Sequence, residues 1–322
     1  MFNSKIISTG SYLPKEILDN VYMESIVETS DEWIVERTGI KERHRASKDE
    51  FTTDLALQAS LDALKRSNIE KNDIDAIVFA TTTPDRTFPS CATILQKKLD
   101  ITNNCMAFDI QAVCCGFIYA LDVADSLIKC GKAKNVLVIG AEILTRIVNW
   151  EDRGTCVLFG DGAGCAILQA TTDSNGGILA TTIHADGNGN SFDILKTDGG
   201  VCYNQRAGVI EMQGREVFKV AVNRMSDCVL ETLNKINLTT DDIDFLIPHQ
   251  ANQRIIDGVG KKLNLESSKV ISTVAMHGNT SSASVPLALD YAVKNGKIKN
   301  DNVVVLEALG AGLTWGSVVI RW

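Results

Sequence analysis

An α/β fold made from one unit used twice is what these 322 residues predict, on three observations. Short β-branched apolar runs alternate with amphipathic stretches, the pattern of strands buried on both faces with helices between them. Two separate blocks of sequence recur later in the chain in the same order. A polar segment, TTDSNGG, stands between the copies, so the halves are expected at 1–170 and 171–322.

The strand-like runs, in order, are DAIVFAT (75–81), MAFDI (106–110), NVLVIGAE (135–142), CAILQA (165–170), DFLIPH (244–249), KVISTV (269–274) and NVVVLEA (302–308). Helical spacing of apolar residues marks TDLALQASLDALKRSN (53–68) and EVFKVAVNRMSDCVLETLNKIN (216–237). A further helix begins near GFIYALDVADSLI, and DEWIVERTGI holds a short one. ALKRSNIEKNDIDAIVF (63–79) matches TLNKINLTTDDIDFLIP (232–248), 169 residues on. CCGFIYALDVADSLIKCGKAKN (114–135) aligns without gaps on NTSSASVPLALDYAVKNGKIKN (279–300), 165 residues on, and both contain Ala-Leu-Asp and Lys-x-Gly-Lys-x-Lys-Asn. Each half therefore reads helix, strand, loop, strand, helix, strand. In such a duplication equivalent loops meet across a pseudo-twofold axis, and the gapless alignment makes Cys114 and Asn279 equivalents.

A net charge of -8 argues against a surface built as a whole to hold nucleic acid. No run approaches the roughly 20 apolar residues of a membrane span, and MFNSKIISTGSYLP has no long apolar core, so the expected address is the cytoplasm. Nine cysteines, an odd number with no C-x-x-C pair, fit reduced thiols and neither a disulfide frame nor a zinc site.

Cys114 stands where MAFDI gives way to a helix. A thiol at a helix N-terminus feels the positive end of the macrodipole, which lowers its pKa; Cys115 points about 100° away around the helix. The other reading is that both are small core residues. His249 in LIPHQAN ends a strand, and His277 in AMHGNTSSAS precedes Asn279 by two residues. Sites in open α/β sheets form beyond the carboxyl ends of strands, where Cys, His and Asn would converge. His44 and His184 have no such company. GDGAG (160–164) lacks the spacing of a dinucleotide fingerprint and precedes a strand, so it reads as a tight turn with close backbone packing. GAGLTWG (310–316) reads as a loop offering backbone N–H groups to an oxyanion. DEWIVERTGIKERHR (31–45), with Arg153 in DRGT, is either a solvated charged turn or the mouth for an anionic, adenine-bearing substrate that stacks on Trp33.

Cys114 in AVCCGF, His249 in PHQAN, Asn279 in GNTSSAS, the DEWIVERTGI segment and the ending GAGLTWG together resemble the β-ketoacyl-[acyl-carrier-protein] synthase III family. The resemblance runs through essentially the whole chain in the family's order. It implies a thiolase-like fold of two pseudo-symmetric halves layered α/β/α/β/α. It further implies a homodimeric acyltransferase that condenses a short acyl-CoA, acetyl-CoA first among them, with malonyl-acyl carrier protein and uses no metal or redox cofactor. On the family pattern Cys114 is the nucleophile, His249 and Asn279 complete the triad, and Trp33 and Arg153 sandwich the CoA adenine with Arg37 beside them. Arg254 matches a cation at the carrier-protein docking edge, and Phe88 a residue lining the partner subunit's acyl pocket. Ala311 departs from an expected glycine whose backbone N–H joins that of Cys114 in the oxyanion hole.

The triad also separates relatives. A thiolase needs a second reactive cysteine near the C-terminus, but the last one here is Cys228. Elongating synthases carry a histidine where Asn279 stands, and an Asn cannot take up a proton. Related acyltransferases and polyketide-type condensing enzymes share the triad and form the nearest alternative. A non-catalytic acyl-CoA-binding module is disfavoured by the intact triad, and a dinucleotide oxidoreductase by the missing strand-G-x-G-x-x-G-helix unit.

Overall fold

The computed structural model describes residues 2–173, 175–189 and 191–322. Its strands are β1 (Asn3–Tyr12), β2 (Glu16–Asp19), β3 (Glu42–Arg45), β4 (Ala76–Ala80), β5 (Met106–Ile110), β6 (Asn135–Ile143), β7 (Asp161–Thr171), β8 (Gly177–Ala185), β9 (Leu195–Thr197), β10 (Ile210–Met212), β11 (Phe245–Pro248), β12 (Val303–Gly310) and β13 (Thr314–Arg321). The helices are α1 (Asn20–Ile26), α2 (Asp31–Thr38), α3 (Thr52–Arg66), α4 (Cys91–Lys98), α5 (Gly116–Lys129), α6 (Arg153–Cys156), α7 (Val201–Asn204), α8 (Gly214–Asn234), α9 (Gln253–Lys262), α10 (Val274–His277) and α11 (Ser284–Lys294).

Two sheets share one wiring. The first runs β1-β7-β6-β4-β5 and the second β8-β13-β12-β11. Counted from β1 and from β8, the first two pairings are antiparallel and the third parallel: β1/β7 and β7/β6 then β6/β4, against β8/β13 and β13/β12 then β12/β11; the first sheet adds β5, parallel to β4. α5 and α11 lie between the sheets in a core drawing Phe117, Leu121, Val285 and Leu289 together with Val78, Val138, Leu306 and Val318. α3 and α4 cover the outer face of the first sheet, and α8 and α9 that of the second. The result is the layered α/β/α/β/α arrangement.

Local chemistry repeats as well. The 3-10 turns Lys71–Asp73 and Thr240–Asp242 are each closed by an aspartate that accepts from the backbone N–H three residues earlier: Asp73 from Glu70 (2.8 Å) and Asp242 from Thr239 (2.7 Å). Both turns lead into a strand with a parallel partner, β4 in the first sheet and the edge strand β11 in the second.

The structure corrects four expectations. KVISTV forms no strand: one bridge joins Leu246 to Val270, and beyond it the Gln250 side chain donates to Ile271 O (3.3 Å) and accepts from Thr273 N (2.7 Å). A side-chain amide thus replaces the ladder that a strand would need. GDGAG is no turn either, because residues 161–164 open β7. The close packing is real, since a Cβ on Gly164 would lie 2.7 Å from Leu287 N of α11. GAGLTWG is the turn of the β12–β13 hairpin, with Gly310 ending one strand and Thr314 opening the next.

The fourth concerns register. A left-handed residue opens a 3-10 turn before each central helix, Val113 (φ 48) before Val113–Cys115 and α5, and Ser281 (φ 50) before Ser281–Ala283 and α11. These starts are 168 residues apart, not 165. The three residues are lost inside the helix, α5 having 14 residues and α11 having 11. Cys114 is therefore equivalent to Ser282, and Asn279 sits just ahead of that turn.

Candidate active site

Cys114 owes its position to the end of β12. A Cβ on Gly310 would lie 2.8 Å from Cys114 N and 2.7 Å from Ala112 O, so only glycine lets the hairpin close over the turn. Thr314 Oγ1 donates to Ala112 O at 2.9 Å and fixes the same turn from the other strand. Cys114 is 5% exposed, where a pocket of about 110 Å³ meets a wider, more open cleft of about 1160 Å³. Cys115 is fully buried in the central core.

His249 follows β11. Its backbone N–H donates to Glu307 O (2.8 Å), and its Nδ1 is paired with Ser284 Oγ at the start of α11 (2.6 Å). Asn279 is held by backbone bonds on both sides: its N–H donates to Leu158 O (2.8 Å) and its carbonyl accepts from Gly160 N (3.0 Å). The Oδ1 of Asn279 accepts from Ser281 N (2.9 Å), which turns its NH2 the other way. Among the described residues neither His249 Nε2 nor Asn279 Nδ2 has a hydrogen-bond partner. Both side chains line the 110 Å³ pocket beside Cys114.

Below them lies Glu142 of β6, a fully buried carboxylate. It accepts from Thr82 N (3.0 Å), from the hydroxyl of Thr83 (2.6 Å) and, out of the second half, from Ser282 (2.9 Å) and Ser281 (3.3 Å). Burial pushes this acid up while those donors pull it down. Burial holds the His249 imidazole down to about 3, so the ring is neutral. For Cys114 the structure reverses the direction expected from the helix terminus. Burial pushes the thiol up to about 12, against a downward pull from the Ser281 hydroxyl. Desolvation of a charged sulfur in a closed pocket outweighs the partial charges of one helix end.

Trp33 and its cations do assemble. Arg37 lies 4.9 Å and Arg153 4.6 Å from the Trp33 ring centroid, and Arg153 Nη1 donates to Glu28 O at 2.9 Å. This patch is tied to the pocket by Asn252, which lines the pocket and donates through Nδ2 to Arg37 O (3.0 Å). Arg254 stacks on Phe218, another lining residue, at 5.9 Å. Ala311 borders the wider cleft with Cys114. Phe88 is 82% exposed, and its neighbours Arg86 and Thr87 border the same cleft.

The other histidines stand apart. His277 is buried, its Nδ1 unpaired, and burial lowers it to about 4, but it lines neither cavity. His44 pairs with Pro14 O, and His184 with Glu231. None of the described residues forms a cluster of three or more metal-ligating side chains. No described helix is long and apolar enough to cross a membrane.

Family models for 3-oxoacyl-[acyl-carrier-protein] synthase III match residues 108–187 and, for its C-terminal part, 233–322. The β-ketoacyl-[acyl-carrier-protein] synthase III of Wolbachia pipientis wMel is 56% identical over 323 residues, covering 100% of both chains. The chain belongs to the β-ketoacyl-[acyl-carrier-protein] synthase III family. The Ehrlichia canis (strain Jake) synthase III is 52% identical over 321 residues, again covering 100% of both. The crystal structure of the Aquifex aeolicus VF5 synthase III superimposes with a TM-score of 0.94 at 49% identity, covering 99% of this chain and 100% of that one. As a synthase III family member the chain is an acyltransferase with the thiolase-like fold.

Four supporting residues of this family member escaped the sequence reading: Glu142, Gln250, Ser281 and Ser284. All four lie within or beside segments already quoted, GAE, PHQAN and GNTSSAS. Which hydroxyls meet Glu142 depends on how the two halves dock, and the Ser284–His249 pair on how α11 packs beside β11.

Proposed function

We propose that the chain catalyses the decarboxylating Claisen condensation of a short-chain acyl-CoA, acetyl-CoA first among them, with malonyl-acyl carrier protein. The product is 3-oxoacyl-acyl carrier protein, and the step initiates type II fatty acid synthesis. The observation that carries this reading is that Cys114, His249 and Asn279, from three separate loops, line one small pocket.

Cys114 attacks the acyl-CoA thioester, and the proton of its thiol ends on the sulfur of the departing CoA. The oxyanion is held by backbone N–H groups, those of Cys114 and Ala311, and CoA leaves. Malonyl-carrier protein then loses CO2, and its thioester oxygen becomes an enolate facing two neutral donors, His249 and the Asn279 amide. A neutral imidazole suits this role, since it stabilises developing charge without giving its proton away. The enolate carbon attacks the acyl group and restores Cys114.

The remaining assignments follow the same reading. Trp33, Arg37 and Arg153 receive the adenine end of CoA, and Arg254 meets the acidic carrier protein. Phe88 completes the acyl pocket of a second copy in a homodimer, which accounts for so exposed an aromatic ring. The enzyme works in the cytoplasm on soluble substrates, and its two halves are the units 1–170 and 171–322.

Mass spectrometry after incubation with acetyl-CoA alone tests the first step. One acetyl group is expected on the peptide carrying Cys114, lost in Cys114→Ala and kept in Cys115→Ala. An adduct that survives Cys114→Ala would move the nucleophile elsewhere.

A further inference from the structure

We infer that Ser284 is a positioning residue that fixes the tautomer of His249, placing the ring proton on Nε2, the nitrogen turned to the pocket. The inference deepens the enolate role proposed for His249 and rests on it. Its basis is a count of protons around one hydroxyl. Ser284 is 2% exposed, and its Oγ has two partners among the described residues, Gln250 N at 3.3 Å and His249 Nδ1 at 2.6 Å. A backbone N–H can only donate, so Gln250 occupies a lone pair of Oγ. The single hydroxyl proton then has one acceptor in reach, Nδ1 of His249. With Nδ1 accepting, the neutral ring carries its proton on Nε2.

The opposite tautomer would place two donors, Gln250 N–H and Nδ1–H, on Oγ. It would leave the Ser284 proton with no acceptor in a site closed to water, a cost that buried hydroxyls rarely bear. It would also present a lone pair, not a proton, to the pocket where the enolate forms. Asn279 shows the same logic from the other side of the site. Its Oδ1 is occupied by Ser281 N, which leaves its amide protons for the pocket. Both donors are thus aimed by groups of the Ser281–Ser284 segment, one by a backbone amide and one by a hydroxyl.

Nitrogen-15 NMR of the full-length enzyme labelled at histidine reads the tautomer directly, with His249 assigned by the signal missing in His249→Ala. The expected pattern is an unprotonated Nδ1 and a protonated Nε2 across the neutral pH range. A protonated Nδ1 in the resting enzyme overturns the inference. In Ser284→Ala the preference for Nε2–H should fall, and malonyl-thioester decarboxylation should drop about tenfold in kcat, the weight of one buried hydrogen bond. Acetylation of Cys114 should stay within about twofold of the parent, and Ser284→Thr, which keeps the hydroxyl, should restore the tautomer. Equal losses in both half-reactions, with the tautomer unchanged, would overturn the positioning role. If the resting ring shows Nε2–H but His249→Ala still decarboxylates at the parent rate, the tautomer assignment stands and the enolate role falls.

Discussion

A thiol shut away from water is a weak acid, and Cys114 is 5% exposed. Burial pushes it up to about 12, while the Ser281 hydroxyl and the start of α5 favour the thiolate. The resting enzyme is then a protonated thiol at neutral pH, and its reactive fraction grows about tenfold per pH unit. Alkylation of Cys114 by iodoacetamide in the free enzyme should climb steadily from about pH 6 to 9. A plateau below about pH 8 would mean that the helix amides outweigh burial. Ser281→Ala should slow alkylation at every pH, because it removes the hydroxyl that favours the thiolate yet keeps the backbone N–H that orients Asn279. The residue types at this site were legible in the sequence, since Cys114 and Asn279 sit at turns and His249 directly after a strand. Glu142 was not legible, because its serine partners come from loops about 140 residues away.

Among the elements, the turn that carries Ser281 and Ser282 lies against β6 only because residue 140 has no side chain. A Cβ there would be 2.3 Å from Ser282 O. Gly140→Ala should therefore cost about 1–3 kcal/mol in urea unfolding and reduce condensation by more than that loss explains, since the same turn orients Asn279. An unchanged midpoint with full activity would show that the turn can retreat. On α2, Trp33→Ala should raise KM for acyl-CoA about tenfold and leave kcat within twofold, the weight of a partly desolvated stack. Strand and helix positions were readable where apolar residues keep their period, as in β4, β6, α3 and α8. KVISTV has the composition of a strand, but the Gln250 amide takes its backbone partners, and no periodicity records that. The gapless repeat placed Cys114 opposite Asn279 because the Lys-x-Gly-Lys-x-Lys-Asn endings fix one register and the helix starts another. The shared Ala-Leu-Asp, at 120–122 and 288–290, already stands at the second spacing of 168, and the left-handed backbone at Val113 and Ser281 shows that the turns obey it.

Across the whole molecule, two buried aspartates face β1, one from each half, and the second of them joins the halves. Asp125 of α5 accepts from Ser4 Oγ (2.5 Å) and pairs with Lys129 (2.7 Å). Asp290 of α11 accepts from Thr9 (2.7 Å) and Ser11 (2.5 Å), and pairs with Arg66 (2.5 Å) and Lys294 (2.7 Å). Burial alone would raise Asp290, but Lys294, Ser11, Arg66 and Thr9 together hold it below the usual carboxylate range. Because the folded acid is the stronger one, its contribution is present above the unfolded value of about 3.9 and fades as pH falls through the folded value. Asp290→Asn should cost about 3 kcal/mol at pH 7, the low end for a buried pair because both cations keep contact with water, and this deficit should shrink on acidification. Urea titrations at pH 7 and pH 3 measure it, and a deficit equal at both would exclude an ionic origin. The partnership of Asp290 with Thr9 and Ser11 spans 281 and 279 residues of chain. On a ribosome β1 emerges well before α11 and waits for it across that separation. Loop closure over such a separation is slow, and until it happens the inner face of the first sheet lacks the cover of α11. In that interval the nascent first sheet shows apolar surface of the kind that chaperones shield.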